Sequence, residues 1–292
     1  MFAISKASGQ VLVSREIDDG VFSEPAPLNP SHSTLDPSAH LAVVKRNEEQ
    51  QDLFVIDPQG RILTSFHREG APLWSDFIAL SDPGSRLRPG SRLAAIRGRG
   101  NDVHLFVVGD ADAPSPGLGR VYETHEANDG AWSALAPITG PVPRLAPGSA
   151  ISAVRRSGAE IDVFVVVGDG SIGVVTRRVD GSWANFSFLP ATRTVSASAN
   201  LASILRRPGQ MDVFGVDAGS GRIWTAADGL STVYLRTVFP KIRFTGTGTL
   251  TGAFGMVPQE MGALTALKVR AIQPTNSVCL TRPMKSRSGS FA

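Results

Sequence analysis

Apolar residues along this chain fall in short bursts of four to six, separated by polar and glycine-rich segments, and the bursts recur. Five carry a phenylalanine in one setting: Met1-Phe2-Ala3-Ile4, Asp52-Leu53-Phe54-Val55-Ile56, His104-Leu105-Phe106-Val107-Val108, Asp162-Val163-Phe164-Val165-Val166 and Asp212-Val213-Phe214-Gly215-Val216. Successive phenylalanines stand 52, 52, 58 and 50 residues apart. The long interval holds the extra turn residues Ala111-Asp112-Ala113-Pro114-Ser115-Pro116-Gly117. Runs this short, rich in Val, Ile and Phe and bounded by Gly, Pro and Asp, predict strands, and no segment sustains a helical period.

Three further elements travel with each phenylalanine. A turn and Gly-x-(Val/Ile) follow it, at Gly9-Gln10-Val11, Gly60-Arg61-Ile62, Gly119-Arg120-Val121, Gly170-Ser171-Ile172 and Gly221-Arg222-Ile223; glycine there suits a hairpin turn with positive φ. An aromatic returns about 20 residues on, as Phe22, Trp74, Trp132, Trp183 and Tyr234, and is read as leading a fourth strand. A small-residue apolar strand ending in basic residues then opens the next unit, as in Leu41-Ala42-Val43-Val44-Lys45-Arg46 and Ile151-Ser152-Ala153-Val154-Arg155-Arg156. Four short strands in about 50 residues is the pattern of a β-propeller blade. The small first strand suits the crowded centre of a ring, and the Phe and Trp suit the gaps between blades.

The expected fold is therefore all-β, a β-propeller of four-stranded blades with six repeats visible. Their approximate bounds are 1–38, which lacks a first strand, then 39–90, 91–148, 149–198 and 199–249, and a degenerate 250–292, which lacks most of its last strand. Two closures fit this count: a chain lacking about one blade of a seven-bladed ring, the preferred reading, and a six-bladed ring closed by face packing.

Composition narrows the function classes. Lys and Arg number 29 against 26 Asp and Glu, a formal charge of +3 that lies partly in Arg282, Lys285 and Arg287. No dense basic block is present, which argues against nucleic acid as a partner. The one cysteine, Cys279, permits no intrachain disulfide and reads as a buried strand residue. No apolar run is long enough for a transmembrane helix, and Met1-Phe2-Ala3-Ile4-Ser5-Lys6 does not start a signal peptide.

The elements Val154-Arg155-Arg156, Ile161-Asp162-Val163-Phe164-Val165-Val166, Gly168-Asp169-Gly170 and Gly181-Ser182-Trp183, with Asp212-Val213-Phe214-Gly215-Val216-Asp217 and Gly221-Arg222-Ile223-Trp224-Thr225-Ala226, resemble the bacterial Photorhabdus-type (PLL-like) seven-bladed propeller lectins and, more distantly, the fungal fucose-binding propeller lectins. The resemblance covers nearly the whole chain. It implies a secreted or extracellular protein that binds fucose or related, often methylated, sugars of glycans in tryptophan-rich pockets between blades. Third-strand positions here carry Leu63, Tyr122, Gly173 and Trp224, so one copy alone has the family's tryptophan.

Trp224 and Tyr122 are the leading candidate ligand contacts, because aromatic faces take the C–H surface of sugars. Trp74, Trp132 and Trp183 recur at one framework position, where packing between blades is the first reading and ligand contact the second. Asp52, Asp162 and Asp212, two residues before Phe, are expected to pair with Arg46, Arg156 and Arg206; these arginines are further candidate ligand contacts. His67 and His125 fall just after third strands, where they could edge a pocket. A protein-binding propeller module is the alternative to a lectin, and a propeller glycosidase the second alternative. Glycosidases need two carboxylates set across one bond, and Asp18-Asp19, Glu48-Glu49 and Glu123/Glu126 all read as turn or strand-end pairs, so no catalytic residue is assigned. Gly168-Asp169-Gly170-Ser171-Ile172-Gly173 matches a dinucleotide fingerprint but runs on into a strand rather than a helix, and Gly109-Asp110-Ala111-Asp112 lacks the rest of a calcium loop. His32, His40, His67, His104 and His125 show no zinc-ligand spacing, so no metal or cofactor is expected.

Overall fold

The computed structural model describes residues 1–19, 21–28, 35–81, 87–88, 90–110, 118–126, 130–146, 148–189, 195–196, 200–207, 210–217, 221, 223–229, 233–237, 268–271 and 278–281, with backbone alone for 207, 224, 226–229, 233–237, 268–271 and 278–281. Most of the degenerate sixth repeat (250–267, 272–277 and 282–292), the insert at 111–117, His32 and the Cys279 side chain lie outside the described residues. All regular elements described are strands, and no helix is long and apolar enough to cross a membrane.

Four sheets follow one plan, each antiparallel with neighbouring strands consecutive in sequence. The second sheet comprises Leu41–Lys45, Gln50–Ile56, Ile62–Arg68 and Ile78–Ala79. The third comprises Leu93–Arg97, Val103–Asp110, Leu118–Glu126 and Ala136–Pro137, with Val142–Pro143 also pairing on its third strand. The fourth comprises Ile151–Ser157, Glu160–Val166, Ile172–Arg177 and Ser187–Phe188, and the fifth Ala202–Arg207, Gln210–Val216, Ile223–Gly229 and Val233–Thr237. Phe2–Ile4, Val11–Val13 and Ala26–Pro27 make the first sheet, beside a hairpin of Glu16–Asp18 and Val21–Phe22; Lys268–Ala271 pairs with Val278–Thr281 near the C-terminus. One expectation needs correcting: Trp74, Trp132 and Trp183 precede the fourth strands rather than lead them, and Trp132 and Trp183 make only single bridges to Glu126 and Arg177.

First strands of the second to fifth sheets lie side by side in succession. Ala42 and Ala94 allow this approach, and Ser152 and Ser203 share a 2.8 Å hydroxyl contact across it. At one end of these strands Arg92, just ahead of the third sheet, donates to Asn200 Oδ1, just ahead of the fifth, at 2.9 Å. His40 holds the matching place before the second sheet; burial, then the positive field of Arg92, pushes its pKa down to about 4.

Hydrophobic cores form between sheets, not within them. Phe54 and Ile56 pack with Val103, Leu105 and Val107 of the next sheet, while Leu53 and Val55, on the opposite face of the same strand, pack with Val11, Leu28 and Leu35 on the side of the preceding one. Phe106 and Val108 likewise join Val163 and Val165. Beyond the aspartate or histidine two residues before each Phe, second strands are apolar on both faces because each face belongs to a different core. Across three successive interfaces the recurring Phe meets the tryptophan of the following sheet edge to face: Phe2 with Trp74 at 5.4 Å, Phe54 with Trp132 at 5.6 Å and Phe106 with Trp183 at 5.8 Å.

Hydroxyls fix the tryptophan segment. Ser14, Ser65 and Thr124 donate to the carbonyls of Ser23, Ser75 and Ser133, and those serines accept in turn from the amides of Arg15, Phe66 and His125. In the fourth sheet the two positions are Val175 and Ala184, so both halves of the device are lost together and neither leaves a buried orphan. Gly9, Gly60, Gly170 and Gly221 have φ of +66°, +75°, +83° and +63°, as a hairpin turn requires. Gly119 does not share that conformation. A Cβ there would sit 2.3 Å from the Leu145 carbonyl oxygen, so close approach, not positive φ, excludes a side chain.

Truncating Phe106 to Ala is expected to cost about 3–5 kcal/mol. In urea unfolding, the Phe106→Ala/Trp183→Ala double variant should fall short of the summed single costs by at least ~0.5–1.5 kcal/mol; strict additivity would mean the rings are energetically independent. For His40 the lowered pKa fixes the sign: between pH 6.5 and about 4 the unfolded chain takes up a proton that the folded chain refuses, so stability falls as pH falls through that window. His40→Gln should flatten this slope, and an unchanged slope would remove His40 from the account.

Candidate functional site

Side chains of two sheets converge only at the sheet interfaces, and charged groups gather there. Arg46 donates to Asp52 at 2.6 Å, Arg156 to Asp162 at 2.9 Å and Arg206 to Asp212 at 2.7 Å, each from the first strand to the second. The aspartates are buried. Burial raises the Asp52 pKa, and the opposing bonds from Gln50 and Arg46 do not cancel it; Asp162 is raised in the same way despite Thr176 and Arg156. Arg46 also reaches Glu126 on the third strand of the next sheet, an ion pair that seals the interface between the second and third sheets.

The third sheet departs from this pattern at several positions at once. Gly98 stands where the others have Arg46, Arg156 and Arg206, and His104 where they have aspartate. Opposite Phe106 is Glu123, where Thr64, Val174 and Thr225 stand in the other sheets, and directly across from His104 is His125. His104 Nδ1 lies 2.7 Å from Glu123 Oε1, and the two imidazoles stack at 5.5 Å. Trp183 of the fourth sheet donates its indole N–H to Glu123 Oε2 at 3.3 Å, and Ser133 Oγ lies 3.1 Å from His125 Nδ1. Burial pushes the Glu123 carboxyl up, but the hydrogen bond and charge of His104, with Arg177 and His125, carry it below the usual range.

With no arginine at position 98, a cleft of about 140 Å³ opens between the third and fourth sheets, walled by His104, His125, Arg155, Arg177, Arg99 and Asp102. Arg155 donates to the Gly98 carbonyl across it. His104, Glu123 and His125 each offer one ligand-type atom, and these atoms lie within 4.8 Å of one another. Sequence spacing missed this group because it lies on two strands, at positions made neighbours by register alone. The available signal was that His104 and Gly98 break the repeat together.

The other predicted site residues are placed as follows. Tyr122 offers no sugar-stacking face: it is 3% exposed, packs between the second and third sheets, and donates its hydroxyl to the Asp110 carbonyl at 2.7 Å. Its third-strand side chain points inward, as Leu63 does. Trp74 is buried, whereas Trp132 and Trp183 keep a partly exposed edge. His67 Nε2 lies 3.0 Å from the Ala71 carbonyl, to which it can only donate, and its ring lies beside Trp74 at 5.5 Å. His125 is the one predicted histidine that lines the cleft. Arg46 is nearly enclosed, while the side chains of Arg156 and Arg206 are 37% and 53% exposed. The Trp224 side chain lies outside the described residues.

No protein-family model and no curated protein matches the chain. Among solved structures it is similar to the BP39L lectin of Burkholderia pseudomallei, with 26% identity and a TM-score of 0.65 over 80% of this chain; the match spans 64% of that lectin's length. A lectin from the fungus Aleuria aurantia, described as a six-bladed β-propeller with a novel fucose recognition mode, matches 79% of the chain at 14% identity and a TM-score of 0.56, covering 71% of its own. The fold is a β-propeller. It is similar to the propeller of a bacterial lectin and, in fold alone, to that of a fungal lectin. A microbial sialidase, Hz136, shares the fold at 14% identity and a TM-score of 0.54, over 78% of this chain and 52% of its own. The sheets described above are thus blades, and the cleft lies between two of them.

Gly98→Ala tests how the cleft is built. A Cβ there would lie 2.6 Å from His104 Nε2, and His104, bonded to Glu123 and stacked on His125, cannot swing aside freely. The substitution should cost about 1–3 kcal/mol in urea unfolding, and most of that cost should vanish in a His104→Ala background. Equal costs in both backgrounds would show that His104 is not the obstacle.

Proposed function

We propose that this chain is a non-catalytic carbohydrate-binding propeller that takes sugars of the fucose or methylated type in clefts between its blades. The observation that carries this reading is the recurrence, at blade interfaces, of what a monosaccharide needs: an aromatic edge for its C–H face, with arginine and carboxylate for its hydroxyls. Trp183 stands with Glu123, Arg177 and the two histidines around the open cleft; Trp132, Arg46, Asp52 and Glu126 repeat the set at an interface that their ion pairs close. The lectin likeness supports the same reading. In it, Arg156, Arg206 and Trp224 are ligand contacts of the later blades, and the ring has six or seven blades.

A protein-binding module is the second reading, favoured by one observation. Ile78 and Phe188 on fourth strands, and Leu73 and Val179 in nearby turns, are large apolar side chains left exposed. Likeness to a sialidase carries the fold alone.

A glycan array probed with the wild-type chain should give dose-dependent signal on fucosylated or O-methylated glycans. Trp224→Ala and Arg206→Ala should each weaken it about tenfold or more, equivalent to about 1.4 kcal/mol per contact. Chromogenic glycosides should remain intact. No glycan signal at high protein concentration would leave the protein-binding reading in its place.

A further inference from the structure

We propose that His104, Glu123 and His125 form a three-ligand site for a zinc-type divalent cation, with its remaining position open to the cleft between the third and fourth blades. Two imidazoles and one carboxylate with an open position is a donor set that such ions take in proteins. The ligand atoms already lie within 4.8 Å of one another. Two ligands on one ion at about 2.0–2.2 Å stand roughly 3–3.4 Å apart. The 2.7 Å pair of His104 Nδ1 and Glu123 Oε1 therefore opens by about half an ångström when the ion replaces the proton between them.

Three features set this cluster apart from a chance meeting of polar groups. It is built in: His104 and Glu123 are buried, and His125 borders the cleft. The ligands have outer partners of the kind that orient metal-bound side chains, Trp183 on Glu123 Oε2 and Ser133 on the His125 ring. Finally, the departures from the blade pattern at positions 98, 104, 123 and 125 act together. Removing the arginine opens the position, a buried aspartate becomes an imidazole, and a carboxylate and a second imidazole join it. Arg155 and Arg177 also line the cleft. What works against calcium or magnesium is the donor set, since those ions take oxygen ligands and two of the three donors here are imidazole nitrogens.

The site shares residues with the cleft proposed for sugar, but it is tested with metal alone, so its outcome does not depend on that reading. Calorimetric titration of the metal-free full chain with Zn²⁺ should give one ion per chain, and Co²⁺ should develop a visible absorption band of low-coordinate cobalt. His125→Ala and Glu123→Gln should each weaken Zn²⁺ binding by more than about a hundredfold, beyond the tenfold to hundredfold expected for outer partners, and Ser133→Ala should fall within that lower range. His40→Gln should leave binding unchanged. Because His125 sits at the cleft rather than in the core, its variant keeps the test valid if His104→Ala does not fold. No Zn²⁺ binding by the wild type, or equal binding by wild type and His125→Ala, overturns the proposal; the second result would assign the ion to other surface groups.

Discussion

The fold depends on one contact made again at three successive interfaces: the phenylalanine of one blade set edge to face against the next blade's tryptophan. A four-stranded sheet of this width has two apolar faces and no partner of its own. Leu53 and Val55 serve one interface, Phe54 and Ile56 the other. No blade holds a complete core, so stability is a property of neighbouring pairs rather than of units. The tryptophan is suited to this place because it is wide enough to reach across a twisted gap and keeps a polar N–H at its rim. In the fourth blade that N–H is used, by Glu123.

Much of this was legible in the sequence because the repeat presents the same constraint several times. A phenylalanine two residues after an aspartate, a glycine before a β-branched residue and a trailing tryptophan identify strands, turn and interface without any coordinates. The Asp–Arg pairs were legible for the same reason. What was lost is instructive. Leu35, Leu87, Leu145 and Val195 are buried under the hairpins, yet they lie in polar, proline-rich linkers where a lone apolar residue gives no periodic signal. The hydroxyls of Ser14, Ser65 and Thr124 read as ordinary strand polarity, although each closes a two-bond clasp with a serine after the aromatic. Tyr122 attracted attention as an aromatic in a ligand position, but its register directs it into the core between blades.

The histidine cluster failed to show for a different reason. Metal-type spacing along a chain works when the ligands share a helix or a tight turn. Here His104 and His125 are 21 residues apart and directly opposed across two strands. Antiparallel register makes any two such positions neighbours, and register is a property of the pair of strands. The usable signal is comparative: the arginine and the aspartate that the other blades share at positions 98 and 104 are both lost in one.

Repetition and function pull in opposite directions in such a ring. Every interface must be packed and its charges paired, so the default state is closed: Arg46 bridges Asp52 and Glu126 and leaves no room between. A cleft arises where that closure is undone. Losing the arginine at position 98 alone would leave a buried aspartate at position 104 unpaired, at a cost of several kcal/mol. The histidine finds its partner in Glu123 within the same blade. The open cleft between the third and fourth blades is thus the consequence of a compensated exchange, in which the arginine–aspartate pair of the other blades is replaced by a hydrogen-bonded histidine–glutamate pair that lies along its wall.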